Sequence, residues 1–323
     1  MKTINHQKGI TLVELMVALV LGLLIMAAAL QIYLSGLSGY KMQKALSDVQ
    51  DNVGFGLSYV LNDLRKINLN AEQSAISDTL PDSGLIISTQ NLGSDITLNC
   101  TDCLKNIWGG ANVDGKNNSQ LLIRFQATAD TYDCSGKELK KNNYVVQRYF
   151  VGATASDARS SLRCSAAQYA QTVKGAGAKE EILFGSSNII IPNVDYFTVK
   201  VGYIQGSLYA PEKIEYVSVE NYLKLAKQKT NVDGIISENR PYVYALKLGL
   251  ILPSTDSAGV DTGLKQKNQA DFNVLGEDVK LKAVSQDNKL RQVVEQTITL
   301  RNALGWNNEG CKVESTGCNG GSL

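Results

Sequence analysis

The sequence predicts an α+β fold in which a long N-terminal helix packs on an antiparallel β-sheet with an enlarged β-rich head. Apolar residues fill the N-terminal part of the chain and then continue as a helical stripe to about residue 68. From about residue 80 onward, β-branched and aromatic runs alternate with Gly, Asn, Asp and Ser clusters, a pattern typical of strands and turns. The first proline is Pro81, so no proline interrupts the predicted helix.

Residues 10–34 are the predicted transmembrane half of this helix. The run from Leu15 to Leu34 has 20 residues, which is long enough to cross a bilayer as a helix. The segment before it is basic and contains no acid, so we expect it to stay in the cytoplasm while the rest of the chain crosses. Glu14 is the single formal charge between Ile10 and Tyr40.

Residues 35–68 are the predicted amphipathic half of the helix. Apolar residues recur there at steps of three and four, and polar residues such as Asp63 lie mostly off this stripe. The stripe consists of Leu46, Val49, Val53, Leu57, Val60, Leu64 and Ile67. A stripe of this width needs a covering surface, and a sheet of the head is the expected one.

Residues 69–302 are the predicted β-rich head, and residues 303–323 a Gly-, Asn- and Ser-rich tail closed by a disulfide. The candidate strands are Leu85–Thr89, Gln120–Thr128, Asn143–Val151, Glu181–Phe184, Phe197–Ile204, Ile214–Val219, Tyr242–Leu252 and Val293–Arg301. We expect a short helix from Asn221 to Gln228. The polar segment from Thr255 to Gln269 is expected to be a surface loop.

Three interpretations of the N-terminus compete: a secretory signal, a plain transmembrane anchor and a leader that is cut before an assembling helix. Glu14 favours the third interpretation. A carboxylate in a membrane helix costs about 2.5–3.5 kcal/mol, and a signal or anchor has no use for it. A cut after Gly9 would create a cationic amine on Ile10, and Glu14 could pair with the amine of a neighbouring subunit and set the axial register.

The segment from Lys8 to Leu15 resembles the type IV prepilin cleavage and methylation motif, with Ile10 in place of the commoner Phe. The resemblance implies that residues 1–9 are a leader peptide, removed after Gly9 by a prepilin peptidase that also methylates the amine of Ile10. It also implies that Glu14 governs recruitment and register during assembly.

The rest of the chain resembles PilW-type minor pilins. The similar segments are Tyr40 to Ile67, Gln120 to Gly136, Tyr149-Phe150, Leu162 to Cys164, Pro192 to Phe197 and Thr299 to Asn302. The family implies a subunit with a single membrane pass in the bacterial inner membrane and a periplasmic head, which later enters the pilus filament. Such a subunit helps to initiate assembly, with the tip as its candidate position. The implied partners are other major and minor pilins, the prepilin peptidase and the inner-membrane assembly platform.

Two other functions remain open. A pseudopilin of a type II secretion system would share the leader, the helix and the assembly mechanism. A membrane-anchored periplasmic enzyme or binding protein would instead leave Gly9 uncut and Glu14 dispensable.

Composition argues against an enzyme and against nucleic-acid binding. The single histidine, His6, lies in the predicted leader, so the mature chain would have no histidine for acid–base catalysis or metal binding. The 32 basic and 31 acidic residues leave no bulk charge to bind nucleic acid. The stretch Gly110 to Asn117 resembles a phosphate-binding loop but has Asn117 where Ser or Thr is required. We therefore expect no catalytic residue, metal or cofactor.

The six cysteines all follow the membrane span, where the predicted orientation exposes them to oxidising conditions. We expect three disulfides: Cys134–Cys164 between neighbouring strands, Cys311–Cys318 in the tail and, by elimination, Cys100–Cys103. Two alternatives for Cys100 and Cys103 are half of a zinc site, with Cys134 and Cys164 as the other ligands, and a redox pair.

Overall fold

The computed structural model describes residues 9–71, 75–93, 96–100, 103–104, 107–154, 157–170, 179–207, 210–232, 235–259, 262–283 and 287–303. The helices within these ranges are α1 (Leu12–Leu64), α2 (Val219–Leu223) and α3 (Thr262–Gln269). Because α1 has 53 residues, the prediction of one helix of more than 50 residues is confirmed. The C-terminal tail, residues 304–323, lies outside the described residues.

The strands of the head vary widely in length. In chain order they are β1 (Leu85–Ile86), β2 (Ile96–Leu98), β3 (Ile107–Gly110), β4 (Asn117–Gln126), β5 (Thr131–Tyr132), β6 (Glu138–Leu139), β7 (Tyr144–Thr154), β8 (Asp157–Tyr169), β9 (Glu180–Ile182), β10 (Asn188–Ile191), β11 (Tyr196–Ser207), β12 (Ala210–Ser218), β13 (Gln228–Val232), β14 (Ile235–Asn239), β15 (Val243–Pro253), β16 (Phe272–Val274), β17 (Glu277–Val279) and β18 (Arg291–Thr299).

Two larger antiparallel sheets form the centre of the head, and the remaining strands pair two by two. The first has six strands in the order β1-β4-β7-β8-β10, with β3 paired to β4, and the second has four strands in the order β12-β11-β15-β18. Side chains of β4 connect them: Asn118 Oδ1 and Ser119 Oγ accept the backbone N–H groups of Phe197 and Val199 of β11, at 2.9 and 3.2 Å. These two hydrogen bonds join the first sheet to the second where β4 lies beside β11.

One hydrophobic core lies between α1 and the two sheets. Val49, Val60 and Leu64 of the helix belong to the same buried cluster as Tyr149 of β7 and Leu248 of β15. Burial of apolar surface from all three elements is therefore what holds the helix on the head. The architecture confirms the predicted α+β class, a long N-terminal helix packed on an antiparallel, β-rich head.

The predicted stripe on α1 faces this core, with one exception at its start. Val49 and Val60 are buried, but Leu46 is 41% exposed, and Ala45 is buried in its place at 2%. At this turn Ala258 and Leu264 cover the helix from a different side than the sheets do further along. Ala45 faces these two residues and packs against them, so it is buried in place of Leu46.

One charged residue of α1 is buried at the contact with the first sheet. Asp63, which the sequence predicted to lie off the buried stripe, is 3% exposed and accepts a hydrogen bond of 2.7 Å from the Tyr149 hydroxyl. It also pairs with Lys66 at 2.9 Å. Burial and the neighbouring Asp63 carboxylate raise the pKa of Tyr149 well above its usual value, so the hydroxyl stays protonated and donates.

Several local predictions were wrong. Strand β8 was missed, and the expected surface loop from Thr255 to Gln269 contains α3, whose Leu264 packs against the helix. The expected strand Leu85–Thr89 is the two-residue β1, and a 3-10 turn follows it at Thr89–Leu92. The short helix expected from Asn221 to Gln228 begins two residues earlier and ends at Leu223 as α2.

Candidate functional site: the junction between leader and helix

The predicted cleavage site lies in uncovered chain without regular secondary structure, just before α1. Thr11 has φ −75° and ψ 149°, and the helix begins at Leu12. Ile10 is 73% exposed, and a Cβ added to Gly9 would meet nothing within 4 Å. The Gly9–Ile10 bond is therefore outside the helix and free of contacts with the described chain. Residues 1–8 of the predicted leader lie outside the described residues.

Thr11 caps the helix and fixes its first turn. Its Oγ1 accepts the backbone N–H of Glu14 at 3.3 Å, and its carbonyl oxygen accepts the backbone N–H of Leu15 at 3.1 Å. The spacing of Thr11 and Glu14 is that of a capping box, a signal that the sequence analysis overlooked. This cap explains why the helix begins two residues after the predicted cut.

Glu14 lies in the first turn of α1, where the partial positive charge of the helix N-terminus favours a carboxylate. Its side chain is exposed, and within the described part of the chain no cationic group forms an ion pair with it. The carboxylate is therefore available to a cation from outside this stretch of chain.

The helix beyond Glu14 is long and apolar enough to cross a membrane, as judged by length and composition, and none of its most apolar window is buried. The head first buries the helix at Ala45. Before the first contacts with the head at Met42 and Lys44, the exposed part from Leu12 to Tyr40 is about 44 Å long at 1.5 Å per residue, compared with about 30 Å for the hydrocarbon core of a bilayer. This arrangement fits a membrane-anchored protein with a single pass.

The expected disulfides between described cysteines are both present. Cys134 in the β5–β6 connection is bonded to Cys164 of β8, and Cys100 to Cys103, with Cα–Cα distances of 5.9 and 5.7 Å. The four-cysteine zinc site is therefore excluded, because every one of its thiols is bonded to another. The described residues also contain no other cluster of His, Cys, Asp or Glu that could hold a metal. Cys311 and Cys318 lie outside the described residues.

The two disulfides lie in the head and not beside the leader junction. Cys134 and Cys164 belong to the main core, whereas Cys103 belongs to a second cluster around β2 and β9. Cys103 is 1% exposed and Cys100 follows β2, which favours a structural bridge over a redox pair. The predicted site residues thus fall into two groups: Gly9 to Glu14 before and at the start of α1, and the cysteines of two separate bridges in the head.

The stretch that resembled a phosphate-binding loop has a structural explanation. Asp114 and Gly115 form a turn in which Gly115 has φ +65°, a conformation that glycine adopts readily. The Lys116 ammonium pairs with Glu277 of β17 at 2.9 Å. This lysine therefore fixes the β16–β17 hairpin to the turn.

Comparison with known proteins identifies the N-terminal segment. The family model of the prokaryotic N-terminal methylation motif matches residues 4–30. Neither curated proteins nor solved structures gave a match to the chain. The PilW-type resemblance of the head therefore remains a prediction. The matched residues include Gly9, Ile10 and Glu14 and the start of the apolar helix, so the chain carries a type IV prepilin-like N-terminus on a pilin-like α+β fold.

Proposed function

We propose that the chain is a minor pilin, a non-enzymatic, inner-membrane subunit that helps to initiate type IV pilus assembly. In this proposal prepilin peptidase removes residues 1–9 and methylates Ile10, and the cut subunit enters the filament, with the tip as its candidate position. The observation that carries the proposal is the geometry of Gly9 to Glu14. An uncovered cleavage site outside regular secondary structure leads into a capped helix, and the carboxylate in its first turn has no ion-pair partner among the residues that the structure describes.

Cleavage is the first step that this geometry supports. A Cβ at Gly9 would meet nothing in the described chain, and a Cβ at Gly22 would not either. Any loss of processing on substitution at Gly9 must therefore come from recognition by the peptidase and not from misfolding. We expect Gly9→Val to accumulate uncut precursor and Gly22→Ala to mature normally, as measured by N-terminal sequencing of membrane fractions. Normal maturation of Gly9→Val would exclude this cleavage site.

Assembly is the second step. A carboxylate that enters an apolar helix bundle costs several kcal/mol unless a cation pairs with it, and the new amine of a neighbouring subunit's Ile10 supplies one. We expect Glu14→Val to insert and be cut normally but to be absent from purified filaments. The matched control is Gln31→Val, which removes the one strongly polar side chain between Leu15 and Leu34 without removing a charge. Filaments that contain Glu14→Val at the wild-type level would refute the pairing.

The assignment to the pilus rests on the PilW-like segments and on the size of the head, which would be awkward to repeat densely along a fibre. A deletion strain separates this function from that of a secretion pseudopilin. We expect loss of surface pili with normal type II secretion. The opposite result would favour the pseudopilin, and loss of neither would favour an anchored periplasmic protein.

A further inference from the structure

The outer face of the four-stranded sheet places two lysines side by side. Lys200 of β11 lies directly opposite Lys247 of β15. Both point away from the core, because their chain neighbours Val201, Leu246 and Leu248 are core residues on the other face. Like charges directly opposite each other destabilise a sheet, so each lysine needs a compensating partner.

The two lysines differ in their partners. Lys200 is largely buried, pairs with Glu277 at 2.9 Å and donates to the carbonyl oxygen of Leu275 at 3.0 Å. Lys247 has no acidic partner among the residues that the structure describes. Its ammonium lies 4.1 Å from the centroid of the Tyr216 ring, a cation–π contact that leaves the positive charge unneutralised. Glu295 lies on the same face, two residues along β18 from Thr297, the residue opposite Lys247, and it accepts the backbone N–H of Leu275.

The surroundings of Lys247 indicate the kind of partner. Tyr216 lies against Gly202, where an added Cβ would be 2.7 Å from the ring, and Ile214 beside it is 44% exposed. An aromatic, an exposed aliphatic and an unpaired cation together are the composition of a protein interface. A sugar would need an open aromatic face to stack on, but the Lys247 ammonium occupies this one.

We infer that Ile214, Tyr216 and Lys247, named here the outer-face patch, bind an acidic segment of a neighbouring pilin-like subunit. The carboxylate of that segment supplies the partner that Lys247 lacks, and the apolar surfaces of Ile214 and Tyr216 pack around the pair. The inference rests on the proposed function, since it takes another filament subunit as the partner. Only Lys200 of the facing pair has an acidic partner, so the positive charge of Lys247 is the feature of this face that a binding partner would neutralise.

Site-specific photo-crosslinking in the native cell tests the inference on the full chain. A photoreactive residue at Ile214 leaves Tyr216 and Lys247 intact. We expect it to capture an acidic segment of a second protein that carries an N-terminal methylation motif, identified by mass spectrometry of the linked peptides. Lys247→Glu should lower the yield about tenfold, and Lys247→Arg should preserve it. The control Lys213→Glu reverses a charge on β12, the strand of Ile214 and Tyr216, but on the opposite face of the sheet, and should have no effect.

Leader removal and membrane insertion are measured in the same cells, so that failure of this inference is distinguishable from failure of the proposed function. The inference is overturned if Lys247→Glu is cut, inserted and as stable to heat as the wild type, yet gives an unchanged yield. Cross-links to polysaccharide or lipid alone overturn it as well. If Lys247→Glu unfolds, Lys247→Gln is the replacement, and its yield decides between the same outcomes. An uncut wild-type chain would instead refute the proposed function.

Discussion

Replacing Gly56 with alanine tests the closest approach of α1 to the first sheet. The added Cβ would lie 2.4 Å from Cγ1 of Ile191 and 2.6 Å from the carbonyl oxygen of Ile190. A carbonyl group in a paired strand cannot rotate aside as a side chain could, so the helix and β10 would have to separate. Overpacking of this kind costs about 1–3 kcal/mol, and the backbone contact favours the upper value.

The helix itself gains from the same change, because replacing glycine by alanine in a helix interior contributes about 1 kcal/mol. For Gly56→Ala we therefore expect a net loss of about 2 kcal/mol in the free energy of unfolding. Gly54 is the matched control, since a Cβ there would meet nothing within 4 Å. Gly54→Ala should gain about 1 kcal/mol, which separates the two variants by about 3 kcal/mol.

Thermal unfolding of the full chain in detergent micelles, followed by near-ultraviolet circular dichroism, measures this difference. At about 2–4 °C per kcal/mol, Gly56→Ala should unfold about 6–12 °C below Gly54→Ala. Equal unfolding temperatures, or a higher one for Gly56→Ala, would mean that α1 does not lie on the backbone of β10.

Two further predictions concern the head. Replacing both cysteines of the Cys134–Cys164 bridge by alanine should lower the free energy of unfolding in urea by about 3–4 kcal/mol, since the bridge spans 30 residues; an unchanged urea midpoint would contradict this. Glu277 has a pKa below its usual 4.5 because Lys116 and Lys200 donate to it. A carboxyl with a lowered pKa in the fold stabilises it fully above the unfolded-state value and loses this effect as pH falls through the folded-state value. Below about pH 4.5 the wild type should therefore lose stability more steeply than Glu277→Gln, and parallel curves of urea midpoint against pH would refute this.

The long helix was predictable because its signals are local. Its apolar run and its stripe can be read at single-helix spacing, and no proline interrupts them. Asp63 shows the limit of that pattern, because its burial depends on Tyr149, which lies far away in the sequence and donates to it. A carboxylate that finds a buried donor can replace an apolar residue at a contact, and helical periodicity carries no information about that donor.

The missed elements depend on distant partners in the same way. Strand β8 contains Ser160, Ser161, Ala166 and Ala167, which have little intrinsic preference for strands. It is a strand because it is paired with β7 on one side and β10 on the other. The predicted leader junction is the opposite case, since its candidate residues all lie between Gly9 and Glu14. Only the cap at Thr11 was overlooked, although its spacing to Glu14 was visible in the sequence.

The bare stretch of α1 below the head has a mechanical consequence. Since the helix is exposed from Leu12 to Tyr40, the head is carried on a stiff rod of about 44 Å, of which the lipid holds only the lower part. Membrane helices tilt by about 20° on average, and such a tilt moves the far end of this rod sideways by about 15 Å. A protein anchored at one point can thus sweep a wide area above the bilayer and search it for neighbours.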